Sequence, residues 1–159
     1  MTESLYLPEY LAGLTLVGGP RGLRAIHFGR QHGADQAGPL VMNAARQLRE
    51  YFNGERRSFD LPLDLEGSQF QIGVWRALQE IPYGKTASYR DIATAVRRPR
   101  GFQAIGQANT RNPLPIIVPC HRVIKADGSL GGYGGGLDRK RELLGLEARH
   151  AHRFRETAA

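Results

Sequence analysis

Residues 112–124 read NPLPIIVPCHRVI and contain the chain's one cysteine, Cys120, followed by His121 and Arg122. The apolar run Ile116–Val118 predicts a buried strand or the end of one. Pro119 then removes a backbone donor and stops a regular ladder or helix at that point. A thiol placed there is held at the end of an apolar wall. Inert structural cysteines are also buried, so burial alone does not make Cys120 a nucleophile. Its neighbours carry the argument, because a nearby positive charge or base favours the thiolate, which is the reactive form.

Downstream, Lys125–Leu130 (KADGSL) carries an Asp-Gly turn signal. GGYGGG follows at 131–136, five glycines around Tyr133. Such a stretch is either a flexible loop or a backbone that must approach a ligand closely. It lacks the Gly-x-x-x-x-Gly-Lys pattern of a nucleotide phosphate loop. Asp138 is placed to cap a last helix, on which Lys140, Leu143, Leu144 and Glu147 share one face. A carboxylate on a leucine face needs a partner. His121 is one candidate and Lys140 a rival, with a solvated helix end as the alternative for Glu147.

Upstream, Ser68 with Gln71 forms a capping-box pattern for a helix to about Glu80, with Phe70, Val74, Trp75, Leu78 and Ile81 on one side. Ser88 with Asp91 repeats the pattern and starts a short helix through Val96. RRPRG leads into a second helix from about Phe102 to Asn109 or Thr110, closed by Asn112-Pro113. Two short helices joined by a basic loop have the layout of a helix-turn-helix. The second helix reads GFQAIGQANT, rich in small residues, which suit close approach to a surface better than core packing. Before residue 66, Leu14–Val17 and Leu23–Phe28 predict a hairpin, Val41–Phe52 a helix ended by Asn53-Gly54, and Phe59–Leu65 a strand or extended linker. A loop is expected over 29–38. No chemistry-bearing motif stands in this half.

The chain has 159 residues and is 41% hydrophobic, enough for one ordinary domain or two small ones. No apolar run is long enough for a membrane span. The opening MTESLYLPEY has no basic n-region, so a cytoplasmic location is the expectation. One cysteine forms no internal disulfide, which fits a reducing compartment. Residues 1–70 hold 7 Lys and Arg against 8 Asp and Glu, whereas residues 71–159 hold 15 against 7. That asymmetry points to a polyanion as partner of the second half.

PCHRV, followed by GGYGGG and a helix carrying LLGLE, resembles the O6-alkylguanine-DNA alkyltransferases, closely from Ser68 to Glu147 and loosely before that. The resemblance implies an α/β (α+β) fold. Residues 1–66 would form a supporting α/β domain with an antiparallel sheet. Residues 67–150 would form a mainly helical DNA-binding and alkyl-transfer domain, and 151–159 a basic tail. It implies direct reversal of O6-alkylguanine, with O4-alkylthymine as a further substrate, in duplex DNA. The alkyl group passes irreversibly to Cys120 after the base is flipped out, as chemistry on a base requires.

On this resemblance Cys120, His121 and Glu147 are nucleophile, base and orienter, an arrangement shared with hydrolases. Adjacent Cys and His on an extended chain point apart, so a bridging water is expected between them. Tyr133 would protonate the departing guanine and Tyr89 contact its edge. The backbones of Cys120, Val123 and Gly134 would hold the base. Asn112 would brace the turn, and Lys140 would lie close to Tyr133.

The small-residue helix, with Gln103, Ala104 and Gly106, would enter the minor groove, which is only ~6 Å wide. Ser88, Arg100, Arg111 and Arg122 would add DNA contacts. Where the family usually carries an arginine that fills the vacated stack, this chain has Gln103. No cofactor and no metal are implied, since the zinc-binding cysteines of some relatives are absent. A monomer is expected, with cooperative binding along DNA left open. Two other classes stay open. A non-catalytic alkylated-DNA sensor would lack the cysteine, and a cysteine hydrolase would turn over.

Overall fold

The structure, a computed structural model, describes residues 2–33 and 35–154. Ala34, within the expected 29–38 loop, and residues 155–159, in the expected tail, lie outside the described residues. The chain is mixed α/β and divides into two compact units, one of residues up to Glu66 together with the chain from His152, the other Gly67–Ala151.

The first unit is a four-stranded sheet in the order β3-β2-β1-β4. The hairpin of β2 (Leu14–Gly19) and β3 (Gly22–Phe28) stands where the sequence places it. β1 (Glu3–Leu7) and the two-residue β4 (Asp35–Gln36) extend the sheet antiparallel. α1 (Pro39–Phe52) lays Val41, Ala44, Ala45, Leu48 and Tyr51 over the buried Leu7, Leu14, Leu16 and Ile26. Its N-cap, Gly38, has no side chain to accept the first amides, so the Glu3 carboxylate does it, taking Val41 N–H at 3.0 Å. The 59–65 segment is extended but makes only a single parallel bridge, Leu23 to Leu63. The buried Gln47 amide fixes its start, exchanging two 2.9 Å hydrogen bonds with the Asp60 backbone.

The second unit contains α2 (Gln69–Gln79), β5 (Ala87–Ser88), α3 (Tyr89–Ala95), α4 (Phe102–Thr110), β6 (Val123–Ile124) and α5 (Leu137–His150). α2 and α3 each begin with a complete capping box, Ser68 with Gln71 and Ser88 with Asp91. Trp75 is buried, and its indole N–H donates to Ala108 O of α4 at 2.9 Å. That bond locks α2 against the helix pair.

Several local expectations fail. The loop expected over 29–38 contains the short strand β4, paired with β1. Ile116–Val118 is buried but lies in a turn, not a strand. Ile116 sits at φ +77, which a β-branched residue adopts only when its surroundings impose it. Asp138 does not cap α5; the N-cap is Gly136, and Asp138 lies in the first turn. α5 runs on to His150, and residues 151–154 form one further tight turn. Among the described residues no helix is long and apolar enough to cross a membrane.

Candidate active site

The turn that Ile116 bends delivers Cys120 into a single 3₁₀ turn, Cys120–Arg122. The extended chain expected at Cys-His is therefore absent. Asn112 holds the turn from inside, its Nδ2 donating to Val118 O at 2.7 Å and its Oδ1 accepting Leu114 N–H at 2.9 Å. Directly after the turn, β6 pairs parallel with β5, Val123 opposite Ala87 and Ile124 opposite Ser88. This short ladder sets the start of α3, and with it Tyr89, beside the cysteine segment.

α5 supplies the other wall. Glu147 is 1% exposed and accepts from His121 Nε2 at 2.7 Å. It also accepts from Arg122 Nε at 2.8 Å, Arg122 Nη2 at 3.0 Å and Gly84 N–H at 3.2 Å. Burial alone would raise the Glu147 carboxyl, but the hydrogen bonds from His121 and Arg122, with the Arg122 charge, outweigh it and hold the group at about 2. Glu147 is thus an ionised acceptor, and His121 Nε2 must carry the proton it donates. The lone pair is then on Nδ1, which is buried with no partner among the described residues. Burial pushes the His121 imidazole below its ordinary value despite Glu147, so the ring is neutral.

These facts correct the simple charge argument at Cys120. Its positive neighbours do not favour the thiolate, because His121 is uncharged and the Arg122 charge is matched by Glu147. Burial pushes the thiol up. Hydrogen bonds from Asn112 and Tyr133 and the Lys140 charge pull the other way without winning. The thiol is held protonated, and a base must take its proton when it reacts.

Arg122 also departs from its expected place at DNA. It is 6% exposed, and besides Glu147 it donates from Nη1 to Ile81 O at 2.7 Å. Its charge is used inside the protein.

Lys140 is fully buried on the same face of α5 but is not the partner of Glu147. Its ammonium gathers the carbonyls of Val123 at 2.6 Å, Leu130 and, at 3.1 Å, Gly132. Burial lowers it to about 8. It therefore ties the glycine-rich loop to the strand after the cysteine. Gly131 in that loop has φ +71, and a Cβ there would stand 3.1 Å from the Tyr89 ring, so both backbone and space require glycine. A Cβ at Gly134 would meet Thr110 O at 3.2 Å. The Tyr133 phenol is raised, by burial first and then by its hydrogen bond with Cys120. Tyr89 is half-buried and raised, by burial first and then by Cys120.

Cys120, His121, Glu147, Tyr133, Tyr89, Asn112, Val123 and Lys140 thus converge. The expected outer residues lie apart from this cluster. Arg100, Gln103, Ala104 and Arg111 are exposed along and beside α4, and Gly106 is half-buried on it. The Ser88 hydroxyl caps α3, accepting Asp91 N–H at 3.0 Å. Sequence reasoning missed Asn109, a polar residue on the buried face of α4, 5% exposed, whose Nδ2 reaches Cys120 O at 3.4 Å. Its position four residues after Ile105, on the packed side of the helix, is the signal that could have found it.

A buried Cys–His–Glu array behind a helix pair defines a helix-turn-helix protein with a cysteine-centred site. Residues 69–149 match the DNA binding domain of 6-O-methylguanine DNA methyltransferase, and residues 11–65 match the ribonuclease-like domain of the same family. The chain belongs to the 6-O-methylguanine DNA methyltransferase family. It is 59% identical over 108 residues to the methylated-DNA--protein-cysteine methyltransferase of Mycolicibacterium paratuberculosis, covering 68% of this chain and 66% of that one. The crystal structure of the Mycobacterium tuberculosis O6-methylguanine methyltransferase superposes with a TM-score of 0.85 at 43% identity, over 94% of each chain. The Mycobacterium tuberculosis OGT in complex with DNA does so with a TM-score of 0.83 at 44% identity, over 94% of this chain and 93% of that one.

Proposed function

We propose that this chain repairs O6-alkylguanine in duplex DNA, acting as a monomer and taking the alkyl group onto Cys120 in one irreversible transfer. The observation that carries this reading is the hydrogen-bonded array of His121 and Glu147 behind a buried, protonated Cys120. Glu147 fixes the imidazole with its basic Nδ1 free to accept. That nitrogen takes the thiol proton through a bridging water, and the thiolate attacks the alkyl carbon. A C–S bond forms as the C–O bond breaks, and guanine leaves with the electron pair. Tyr133, kept protonated by its surroundings, donates to O6. The protonated His121 then returns its proton to the Tyr133 phenolate, so both groups are restored and the net transfer is one proton from thiol to guanine.

The thioether has no hydrolysable bond, and the protein is consumed. Tyr89 and the backbones of Cys120, Val123 and Gly134 bound the base, while Asn112 and Lys140 hold the walls in place. Residues 1–66 support the second unit, which carries DNA binding and transfer. α4 with Gln103, Ala104 and Gly106 meets the duplex, and Ser88, Arg100 and Arg111 flank it.

The test is a mass spectrum after incubation with duplex DNA carrying O6-methylguanine. One methyl group on the peptide holding Cys120, at most one per chain, is expected, and none with Cys120→Ser. Unmodified protein that holds the DNA, or product beyond one equivalent, would replace this reading by a sensor or a hydrolase.

A further inference from the structure

We infer that Phe102 is the side chain that fills the base stack when the alkylated base leaves the duplex. This rests on the function proposed above. Among the described residues three large apolar side chains are exposed: Met42 at 59%, Phe102 at 46% and Leu137 at 40%. Phe102 is the one on α4, and it is that helix's first residue. By helical spacing it continues the buried stripe of Ile105 and Asn109, yet nearly half its surface is in water, because the stripe runs past the packed core. A core role accounts for Ile105 and leaves Phe102 unexplained.

Its surroundings suit an intruding ring. Phe102 and Gln103 line a cleft of about 410 Å³ that Tyr89, Gly131 and Gly132 line with them. Tyr89 and the glycine loop also border the cysteine site, so Phe102 stands at the entrance a flipped base would use. Gly101 precedes it and the small Ala104 follows on the exposed side, leaving the backbone room to approach a duplex.

The chemistry separates Phe102 from its neighbour. A base leaving the stack exposes the faces of the pairs beside it. A ring restores that contact, and every base offers such a face whatever its sequence. Phe102 has no polar atom to strip of water, and its exposed apolar surface is removed from water on insertion. Gln103 has an amide to desolvate and a small plane. It suits hydrogen bonding to the orphaned partner base. The two side chains therefore divide the opened site between them, with Phe102 stacking and Gln103 pairing.

The test compares single-turnover methyl transfer from O6-methylguanine in duplex DNA with transfer from the free base, for the parent, Phe102→Ala and Phe102→Tyr. The expected result is that Phe102→Ala lowers the ratio of duplex to free-base rate by about tenfold or more. Phe102→Tyr, which keeps the ring, should hold that ratio within about threefold of the parent. An unchanged ratio for Phe102→Ala overturns the inference. So does an equal fall on both substrates, which would make Phe102 a wall of the base pocket. A parent that takes no methyl group from either substrate refutes the proposed function itself, a result distinct from both.

Discussion

Arg122 meets Glu147 along two edges, Nε on Oε1 at 2.8 Å and Nη2 on Oε2 at 3.0 Å, inside a site where both are almost fully buried. The paired geometry is the strong form of a charge-assisted hydrogen bond. It leaves Glu147 charged while His121 stays neutral. Removing one partner of such a pair strands the other charge, at a cost of roughly 3–5 kcal/mol. Arg122→Ala should therefore lower stability by that order, measured by urea unfolding. Glu147→Gln keeps the shape but not the charge that fixes the imidazole proton on Nε2. Its single-turnover rate should fall at least about tenfold, with DNA affinity changed much less. An unchanged rate would make Glu147 a purely structural residue.

Stability should also fall on acidification in two stages. The sign is the same for both groups. His121 is lowered from 6.5, so its unfolded form takes up protons first as pH drops, and stability is lost below about that value. Glu147 is lowered from 4.5 to about 2, so its contribution is complete above 4.5 and lost between there and 2. The second loss is on the order of 3 kcal/mol. Urea midpoints measured from pH 7 to pH 3 should show the steeper decline below 4.5, and Glu147→Gln should remove it. A decline that persists unchanged in the variant would assign it to other carboxylates.

What the sequence reveals and hides follows from how local each cause is. The capping boxes at Ser68 and Ser88 span four residues each, and the hairpin and α1 are set by short-range pattern, so all are legible. The approach of Glu147 to His121 is also readable, because a carboxylate on the leucine face of α5 requires a buried partner. Ile116 is not readable. Nothing in PLPIIVP announces a left-handed isoleucine, which arises from the surrounding packing. Arg122 misleads for a similar reason, since a charge count cannot tell an arginine spent on Glu147 from one that faces DNA. β1 escapes because Glu3–Leu7 is short and closely followed by Pro8. Lys140 reads as a neighbour of Tyr133, but its three carbonyl partners come from two separate segments, a clustering only the fold creates.

The internal use of Arg122 sharpens the expected salt dependence. Phosphate neutralisation gives a slope of about −0.9 per contact in a plot of log affinity against log salt. Arg100 and Arg111 are exposed beside α4. Arg100→Ala and Arg111→Ala should each make the slope shallower by about 1, with little change in preference for flanking sequence. Arg122→Ala should leave the slope of the folded fraction unaltered. Binding titrations from low to moderate salt would check this, and a slope that responds to Arg122 alone would return that residue to the DNA surface.

Gln103 stands where the resemblance to the alkyltransferases would place an arginine. It is exposed next to Phe102 on the first turn of α4. An arginine there would offer a planar cation that stacks and attracts phosphate. Glutamine offers amide hydrogen bonds, a smaller plane and no charge, so it should hold an opened base pair less firmly. Unpairing and unstacking a base costs a few kcal/mol. Part of that cost can be recovered by hydrogen bonds from the amide to the orphaned base, each worth about 1 kcal/mol net. Gln103→Ala should thus lower the ratio of duplex to free-base transfer rate by about fivefold. Gln103→Arg should equal or exceed the parent on duplex DNA. The free base needs the pocket but no opening of a pair, so the ratio isolates this step from damage to the site. A parental ratio in Gln103→Ala would leave the opened pair to Phe102 and the flanking Arg100 and Arg111. A slower duplex reaction in Gln103→Arg would mean that the Phe102–Gln103 pair acts as a unit that a bulkier cation disrupts.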